Sequence, residues 1–367
     1  MVLLLLVFLM YLIFIFIPIF GFLKSDTTIY SSKKKVNRNS VTLIIPFRNE
    51  QNRISKLLEA IQRQNDFSLI NKVVFVDDHS TDNSVEIIKT WILEQQHSFE
   101  IISLKSYYGK KRAIDLGVNY ADSKFLMILD ADISFNNSFF KNLGFLLKTE
   151  CDLYLFQVVE NSGLFFSKII SYVLSIITIG MANIKRPILS NGAALVFKKK
   201  SYLETNPFSD NFHVSSGDDI SILNSFKNNN RLINTAMNSN LIVFTEGAET
   251  FRSLIKRSLR WSSKMKVFAL TTTNIVAFLF LLCNLLVWPL AIYAMVYSDT
   301  EFLLLLAIKF FADVIILTLA SFNFKDYSLI KYSLPMFVFY PIILLVVLFF
   351  NAVNYDLKWK ERTVVKR

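Results

Sequence analysis

The sequence predicts an α/β fold, a sheet covered by helices, held between transmembrane helices at the amino- and carboxyl-terminal ends of the chain. Three observations predict it. Short apolar runs alternate with polar, helix-compatible stretches between residues 40 and 250. The first 23 residues carry no charge. Long apolar stretches return after residue 267, and a content of 53% hydrophobic and 14% aromatic residues exceeds what a soluble chain of this size carries.

Residues 1–23 come first. At about 1.5 Å per residue they span a hydrocarbon core of about 30 Å. A cleaved leader needs basic residues before the apolar run and a small-residue cleavage site after it, and neither is present, so this segment is read as an anchor. A linker at 24–40 follows with Lys24, Lys33, Lys34, Lys35 and Arg38. Basic flanks favour the cytoplasm, which makes this an integral inner-membrane protein with its central domain facing the cytoplasm. The formal net charge of +11 has the same cause: 16 of the 40 Lys and Arg lie in 24–38, 252–266 and 358–367, all bordering apolar spans. That distribution points to anionic lipid headgroups and away from nucleic acid.

In the central domain, 41–250, the runs VTLIIP (41–46), KVVFVDD (72–78), FEIISL (99–104) and FLMILD (125–130) read as strands. Runs apolar on both faces suit a parallel sheet covered by helices. In such sheets ligands collect at the carboxyl ends of strands, where this sequence places Asp77, Asp78, Asp130 and Asp132. The apolar run 164–181 carries Ser167, Lys168, Ser171, Tyr172 and Ser175 and is not counted as spanning. An interfacial helix at 251–266 leads into three apolar stretches, 267–297, 302–321 and 334–353, and a basic tail at 354–367. Lys309 and Asp313 share a helix face in the second stretch, which suits an internal ion pair. Three full crossings would put the tail outside, so Pro335 and Pro341 mark the last stretch as a candidate re-entrant segment and the tail is expected on the cytosolic side. Cys151 and Cys283 are an implausible disulfide pair, because the second lies inside an apolar run.

Three strand ends carry the candidate chemistry. The first runs into Pro46-Phe47-Arg48-Asn49-Glu50, where proline stops the ladder. The second ends in Asp77-Asp78-His79-Ser80-Thr81-Asp82. Helix capping accounts for Ser80 or Asp82, whereas two adjacent carboxylates call for a partner, such as the N–H and hydroxyl groups of a nucleoside. The third is Asp130-Ala131-Asp132, where strand alternation directs both carboxylates to one side, as oxygen ligands for Mg2+ or Mn2+ bridged to a diphosphate. Gly217-Asp218-Asp219 reads either as a helix start or as the source of a catalytic carboxylate. His79, His97 and His213 lack zinc-ligand spacing, and the sequence contains neither a Walker loop nor a GxGxxG.

The order PFRNE, VVFVDDHSTD, GKKRAIDLG, FLMILDADI, SGDD and RSLRW resembles glycosyltransferase family 2, over residues 41–261. The resemblance is to the membrane-anchored subgroup that includes lipid and carotenoid glucosyltransferases and polysaccharide synthases. It implies a GT-A fold, an inverting mechanism and a divalent cation. By the same resemblance Pro46, Arg48, Glu50, Asp77, Asp78, Lys110 and Asp130 contact the nucleoside-diphosphate sugar, Asp132 ligates Mg2+ or Mn2+, Asp219 is the base, and Asp218 lies toward the acceptor. Arg257-Ser258-Leu259-Arg260-Trp261 resembles the Gln-x-x-Arg-Trp motif, which assigns Arg260 to the diphosphate and Trp261 to the acceptor. Arg257 departs from the usual Gln, leaving the role of that position open. The implied reaction moves a hexose or N-acetylhexosamine, from UDP, to a lipid or membrane-bound glycan; the alternative is a transferase-like scaffold of a glycan-assembly or export complex.

Overall fold

The structure is a computed structural model that describes residues 2–24, 38–212, 217–267, 272–353, 358–359 and 362–363. Lys33, Lys34, Lys35, His213, Ser216 and most of the tail 354–367 lie outside the described residues. The chain divides into two compact units. A helical unit takes Met1–Lys24, Glu160–Ile188 and Gly247–Leu357; an α/β unit takes Ser25–Val159, Leu189–Glu246 and Lys358–Arg367.

In chain order, α1 (Val2–Leu23) precedes β1 (Val41–Phe47), α2 (Ile54–Gln62), β2 (Ile70–Asp77), α3 (Ser84–Leu93), β3 (Phe99–Ser103), α4 (Lys110–Tyr120) and β4 (Phe125–Leu129). All seven residues of β1 and all five of β4 are buried, as expected of strands covered on both faces. The helices supply the cover: Ile54, Leu57, Leu58 and Ile61 form the apolar stripe of α2, spaced three and four apart. Gly117 lets α4 lie on the sheet, since a Cβ there would come within 2.5 Å of Ile44.

Next come β5 (Ile133–Phe135), α5 (Phe139–Leu147), β6 (Leu153–Phe156), β7 (Val158–Glu160), α6 (Phe165–Asn183), β8 (Ala194–Lys198), α7 (Lys199–Thr205), α8 (Asp218–Asn228), β9 (Ile233–Ala236) and β10 (Val243–Thr245). The main sheet has the order β3-β2-β1-β4-β8-β6-β9, and β5, β10 and β7 form a second, three-stranded sheet. The expected parallel arrangement holds for β3, β2, β1 and β4. Beyond β4 it is corrected: β8 runs antiparallel to both β4 and β6, so the sheet is mixed. Proline limits β1 on one side only. Pairing with β4 ends at Ile44, while pairing with β2 continues through Pro46 to Phe47.

The helical unit holds α1, α6, α9 (Phe251–Val267), α10 (Thr272–Leu285), α11 (Val287–Tyr297), α12 (Thr300–Asn323) and α13 (Ser333–Ala352). Among the described residues, five helical stretches are long and apolar enough to cross a membrane by length and composition: 4–23, 165–183, 278–297, 300–323 and 327–350. The sequence reading does not count the second of these as spanning. α1 and α6 touch backbone to backbone: a Cβ on Gly180 would lie 2.0 Å from the Pro18 carbonyl oxygen, and one on Gly21 would lie 2.1 Å from that of Gly180. Lys309, 1% exposed, donates to Asp313 Oδ2 at 2.5 Å, and the Tyr11 hydroxyl donates to Asp313 Oδ1. The pair expected from the four-residue spacing is therefore present, and it ties α12 to α1.

Candidate active site

The ends of β1 and β2 are stitched together. Asn49 N donates to Ser80 Oγ at 3.1 Å, Thr81 N returns a bond to Asn49 Oδ1 at 2.8 Å, Gln51 N donates to Asp82 Oδ2 at 3.1 Å, and Asn83 N donates to Gln51 Oε1 at 3.1 Å. Asn49 and His79 turn through positive φ, 50° and 59°, to let the loops face each other. Within this stitch Asp77 accepts Ser80 N at 2.9 Å, so one of the two adjacent acids has a turn-forming role. Asp78, 4% exposed, accepts Gly109 N at 3.0 Å, and its carbonyl accepts Arg48 Nη1 at 3.2 Å. Burial raises the Asp78 carboxyl above its ordinary value, against the lowering effect of Gly109 and His79.

Lys110 opens α4 directly after Gly109, which sits at φ 107° and so needs a residue without a side chain. Its ammonium lies 2.7 Å from Asp130 Oδ1 and 2.9 Å from Asp218 Oδ2, and donates to the Gly192 carbonyl at 3.1 Å. The two carboxylates raise the Lys110 pKa despite its burial, so it stays charged. Asp130 is pushed up by burial and by Asp132 and Asp218, with Lys110 opposing. Its backbone N–H is bonded to the Ala193 carbonyl at 3.0 Å.

Asp132 faces a second cation. Strand β4 ends at Leu129 and residues 131–132 form a turn, so the expected extended alternation is corrected: Asp130 pairs with Lys110 and Asp132 with Arg53. Arg53 Nη1 lies 3.1 Å from Asp132 Oδ2 and its Nη2 lies 2.6 Å from Glu50 Oε2, joining the first loop to the third. Among the described residues no group of three or more His, Cys, Asp or Glu side chains is placed to hold a metal ion. The donor set nonetheless fits one kind of cation site. Two hard carboxylates on one turn suit Mg2+ or Mn2+ that completes its shell with phosphate oxygens and water, not a cage built of protein alone.

Asp218 and Asp219 form the first turn of α8 behind Gly217 at φ 79°, and both are buried, at 8% and 4% exposure. The helix-start reading therefore holds, with both carboxylates at the positive end of the helix. Asn211 and Phe212 are held from α4: Lys111 Nζ donates to Asn211 O at 2.9 Å and Oδ1 at 3.1 Å, and the Arg112 guanidinium lies 3.5 Å from the Phe212 ring centroid.

The structure thus brings Arg48, Glu50, Asp77, Asp78, Lys110, Asp130, Asp132, Asp218 and Asp219 together within the α/β unit, with Pro46 buried in β1 behind them. Arg260 and Trp261 belong to the helical unit, on α9. Sequence reasoning misses Arg53 and Gly192. Arg53 has no motif around it. Gly192 borders the centre of the site: a Cβ there would lie 2.8 Å from Asp218 Oδ2, 3.2 Å from Lys110 Nζ and 3.4 Å from Asp219 Cβ.

Residues 42–201 match the model of the family described as Glycosyl transferase family 2. The 4,4'-diaponeurosporenoate glycosyltransferase of Staphylococcus haemolyticus is 33% identical over 98 residues, 27% of this chain and 25% of that protein. The undecaprenyl-phosphate 4-deoxy-4-formamido-L-arabinose transferase of Proteus mirabilis is 34% identical over 105 residues, 28% of this chain and 31% of that protein. The aligned part thus spans between a quarter and a third of these relatives' length. A mannosyltransferase from Pyrobaculum calidifontis, solved with GDP-Man and Mn2+, shares the fold at a TM-score of 0.57 and 14% identity, covering 95% of this chain and 99% of that one. Residues 42–201 of this chain are a glycosyl transferase family 2 domain, on the mixed α/β sheet of the GT-A fold.

Proposed function

We propose that this chain is an inverting glycosyltransferase that moves a sugar from a nucleoside-diphosphate sugar, a UDP-hexose or UDP-N-acetylhexosamine, to a lipid or membrane-bound glycan acceptor. The observation that carries the reading is the position of Lys110, whose ammonium joins Asp130 to Asp218, next to Asp219. Three sequence segments with separate roles in the family pattern meet at one charge.

In this reading Arg48, Glu50 and the Asp77-Asp78 turn bind the nucleoside. Lys110 and Asp130 orient the sugar diphosphate. Asp132 would hold Mg2+ or Mn2+, which neutralises negative charge on a departing diphosphate. Asp219 takes the proton of the acceptor hydroxyl as its oxygen bonds to the anomeric carbon; the bond to the diphosphate breaks on the opposite face and its electron pair leaves with the diphosphate. Asp218, held by Lys110, lies toward the acceptor. The motif resemblance alone assigns Arg260 to the diphosphate and Trp261 to the acceptor. Support for a membrane-linked acceptor comes from the five apolar helices and from relatives whose names pair sugar transfer with diaponeurosporenoate and undecaprenyl phosphate. The basic residues after α1 support a cytosolic active site in an inner-membrane protein.

The test is nucleoside-diphosphate release from a panel of UDP-sugars by the full chain in nanodiscs, with Mg2+ or Mn2+ and extracted lipid acceptors. Release with at least one donor is expected, and Asp219→Asn should lower it by about 10²-fold or more. No release with any donor, or full activity in Asp219→Asn, would overturn the reading.

A further inference from the structure

Glu160, at the end of β7, is 1% exposed, and no step of the proposed transfer uses it. A carboxylate at that depth needs compensation, and it has some: Arg257, from the second turn of α9, donates to Glu160 Oε1. The surroundings are built around this contact. Glu160 N donates to Ser171 Oγ at 3.0 Å, Leu164 N to the Ala248 carbonyl at 2.8 Å, and Ala248 N to Ser167 Oγ at 3.2 Å. Gly163 and Gly247 allow the two chain segments to touch. A Cβ on Gly163, at φ 84°, would lie 2.6 Å from the Ala248 oxygen, and one on Gly247 would lie 2.1 Å from the Ser162 oxygen and 2.8 Å from Glu160 Oε2.

Arg257, Arg260 and Trp261 stand three and four residues apart and share one stripe of α9. Leu254, Ile255 and Leu259 form another stripe, buried with Ile343 and Val347 of α13. The apolar contacts hold the helix down but tolerate rotation, because dispersion and burial are not directional. The buried ion pair is directional, and it lies on the stripe that carries Arg260 and Trp261. It also accounts for the residue at position 257: an arginine reaches and neutralises a buried acid, which a glutamine does not.

We propose that Glu160 and Arg257 are a positioning pair, which sets the rotation of α9 and so the direction in which Arg260 and Trp261 project. The inference rests on the reading of those two residues under Proposed function. Arg257 then acts through its neighbours on the helix and not on substrate.

Glu160→Gln, Arg257→Gln and the double substitution separate the alternatives in the full chain in nanodiscs. Arg257→Gln leaves the buried Glu160 carboxylate without its charged donor, Glu160→Gln takes away the charged acceptor that orients the partly exposed Arg257, and each should lower kcat/KM by about tenfold or more. The double variant pairs two neutral amides and should recover to within about threefold of the parent. If Glu160→Gln fails to rescue Arg257→Gln while the double variant remains folded by circular dichroism, Arg257 meets substrate and the proposal is wrong. A second readout needs no donor: with Trp91, Trp288 and Trp359 replaced by Phe, acrylamide quenching reports on Trp261 alone. Quenching should change in each single variant and return in the double. Unchanged quenching in Glu160→Gln would overturn the positioning role even if no sugar is transferred, whereas absent transfer with the expected quenching pattern counts against the enzymatic reading only.

Discussion

At the scale of single residues, the site depends on one ammonium group serving two acids and one carbonyl. Asp130 and Asp218 would repel each other without Lys110, and a lysine buried at this position would lose its charge without them. Gly192 is the point where this arrangement is most easily disturbed. A methyl group there meets the far ends of two side chains, Asp218 Oδ2 at 2.8 Å and Lys110 Nζ at 3.2 Å, which can swing aside with little loss of stability. Gly192→Ala should therefore lower kcat by about 10²-fold while changing the unfolding free energy by less than about 1 kcal/mol. A parallel loss of fold and activity would instead make Gly192 a packing residue. The difference between what was legible and what was not has a physical basis. Asp130 and Asp132 sit at a strand end that the alternation of strand and turn marks, and Lys110 lies in a segment that the family resemblance marks. Gly192 and Arg53 act through contacts with segments some 80 residues away in sequence, such as Gly192 with Lys110 and Arg53 with Asp132, and a local pattern carries no trace of those.

At the scale of elements, the apolar runs predict β1 to β4 to within two residues, and most clearly β1 and β4, because a strand buried on both faces has to be apolar throughout. The reversal of β8 has no such signature, since an antiparallel buried strand has the same composition as a parallel one. The same pairing decides what α6 does. Length and composition would let it span a membrane, yet β6, earlier in the chain, and β8, after it, are hydrogen-bonded neighbours with Leu153 opposite Phe197. One crossing would leave them on opposite sides of the bilayer. Both ends of α6 are tied within the helical unit: Lys168 near its start pairs with Asp326, just past the end of α12, and Asn183 at its end donates to Gly21 near the end of α1. Residues at its two ends should thus face the same compartment. In a chain with Cys151 and Cys283 replaced by serine, Asn161→Cys and Arg186→Cys are both expected to react with a membrane-impermeant maleimide from the same side in oriented vesicles. Labelling from opposite sides would mean that α6 crosses after all.

At the scale of the whole molecule, the main sheet of the α/β unit is drawn from two stretches of chain separated by residues 160–188, so it has to be closed by strands that return after an excursion. Asp152 holds that return. Its carboxylate accepts the Ser201 hydroxyl at 2.7 Å and the Leu232 N–H at 2.9 Å, with Lys198 Nζ at 3.6 Å, so it fastens the start of β6 to the end of β8, to α7 and to the approach to β9. Burial works against its charge, but Ser201, the Leu232 N–H and Lys198 outweigh burial and hold its pKa below the ordinary carboxylate value. A folded-state pKa below the unfolded one means that the charged form is preferred on folding. The stabilisation is therefore present above the unfolded value, about 3.9, and is lost as pH falls through the folded one. Asp152→Asn keeps the shape of the group but removes the charge that its donors favour. It should cost about 1–2 kcal/mol at pH 7, seen as a lower unfolding midpoint in detergent. The gap between variant and parent should shrink as the pH is lowered from about 5 through the depressed folded-state value, as the parent carboxyl itself takes up a proton. A gap that stays constant over this range would assign the loss to packing around Asn and not to the charge, and would leave the closure of the sheet to its apolar strands.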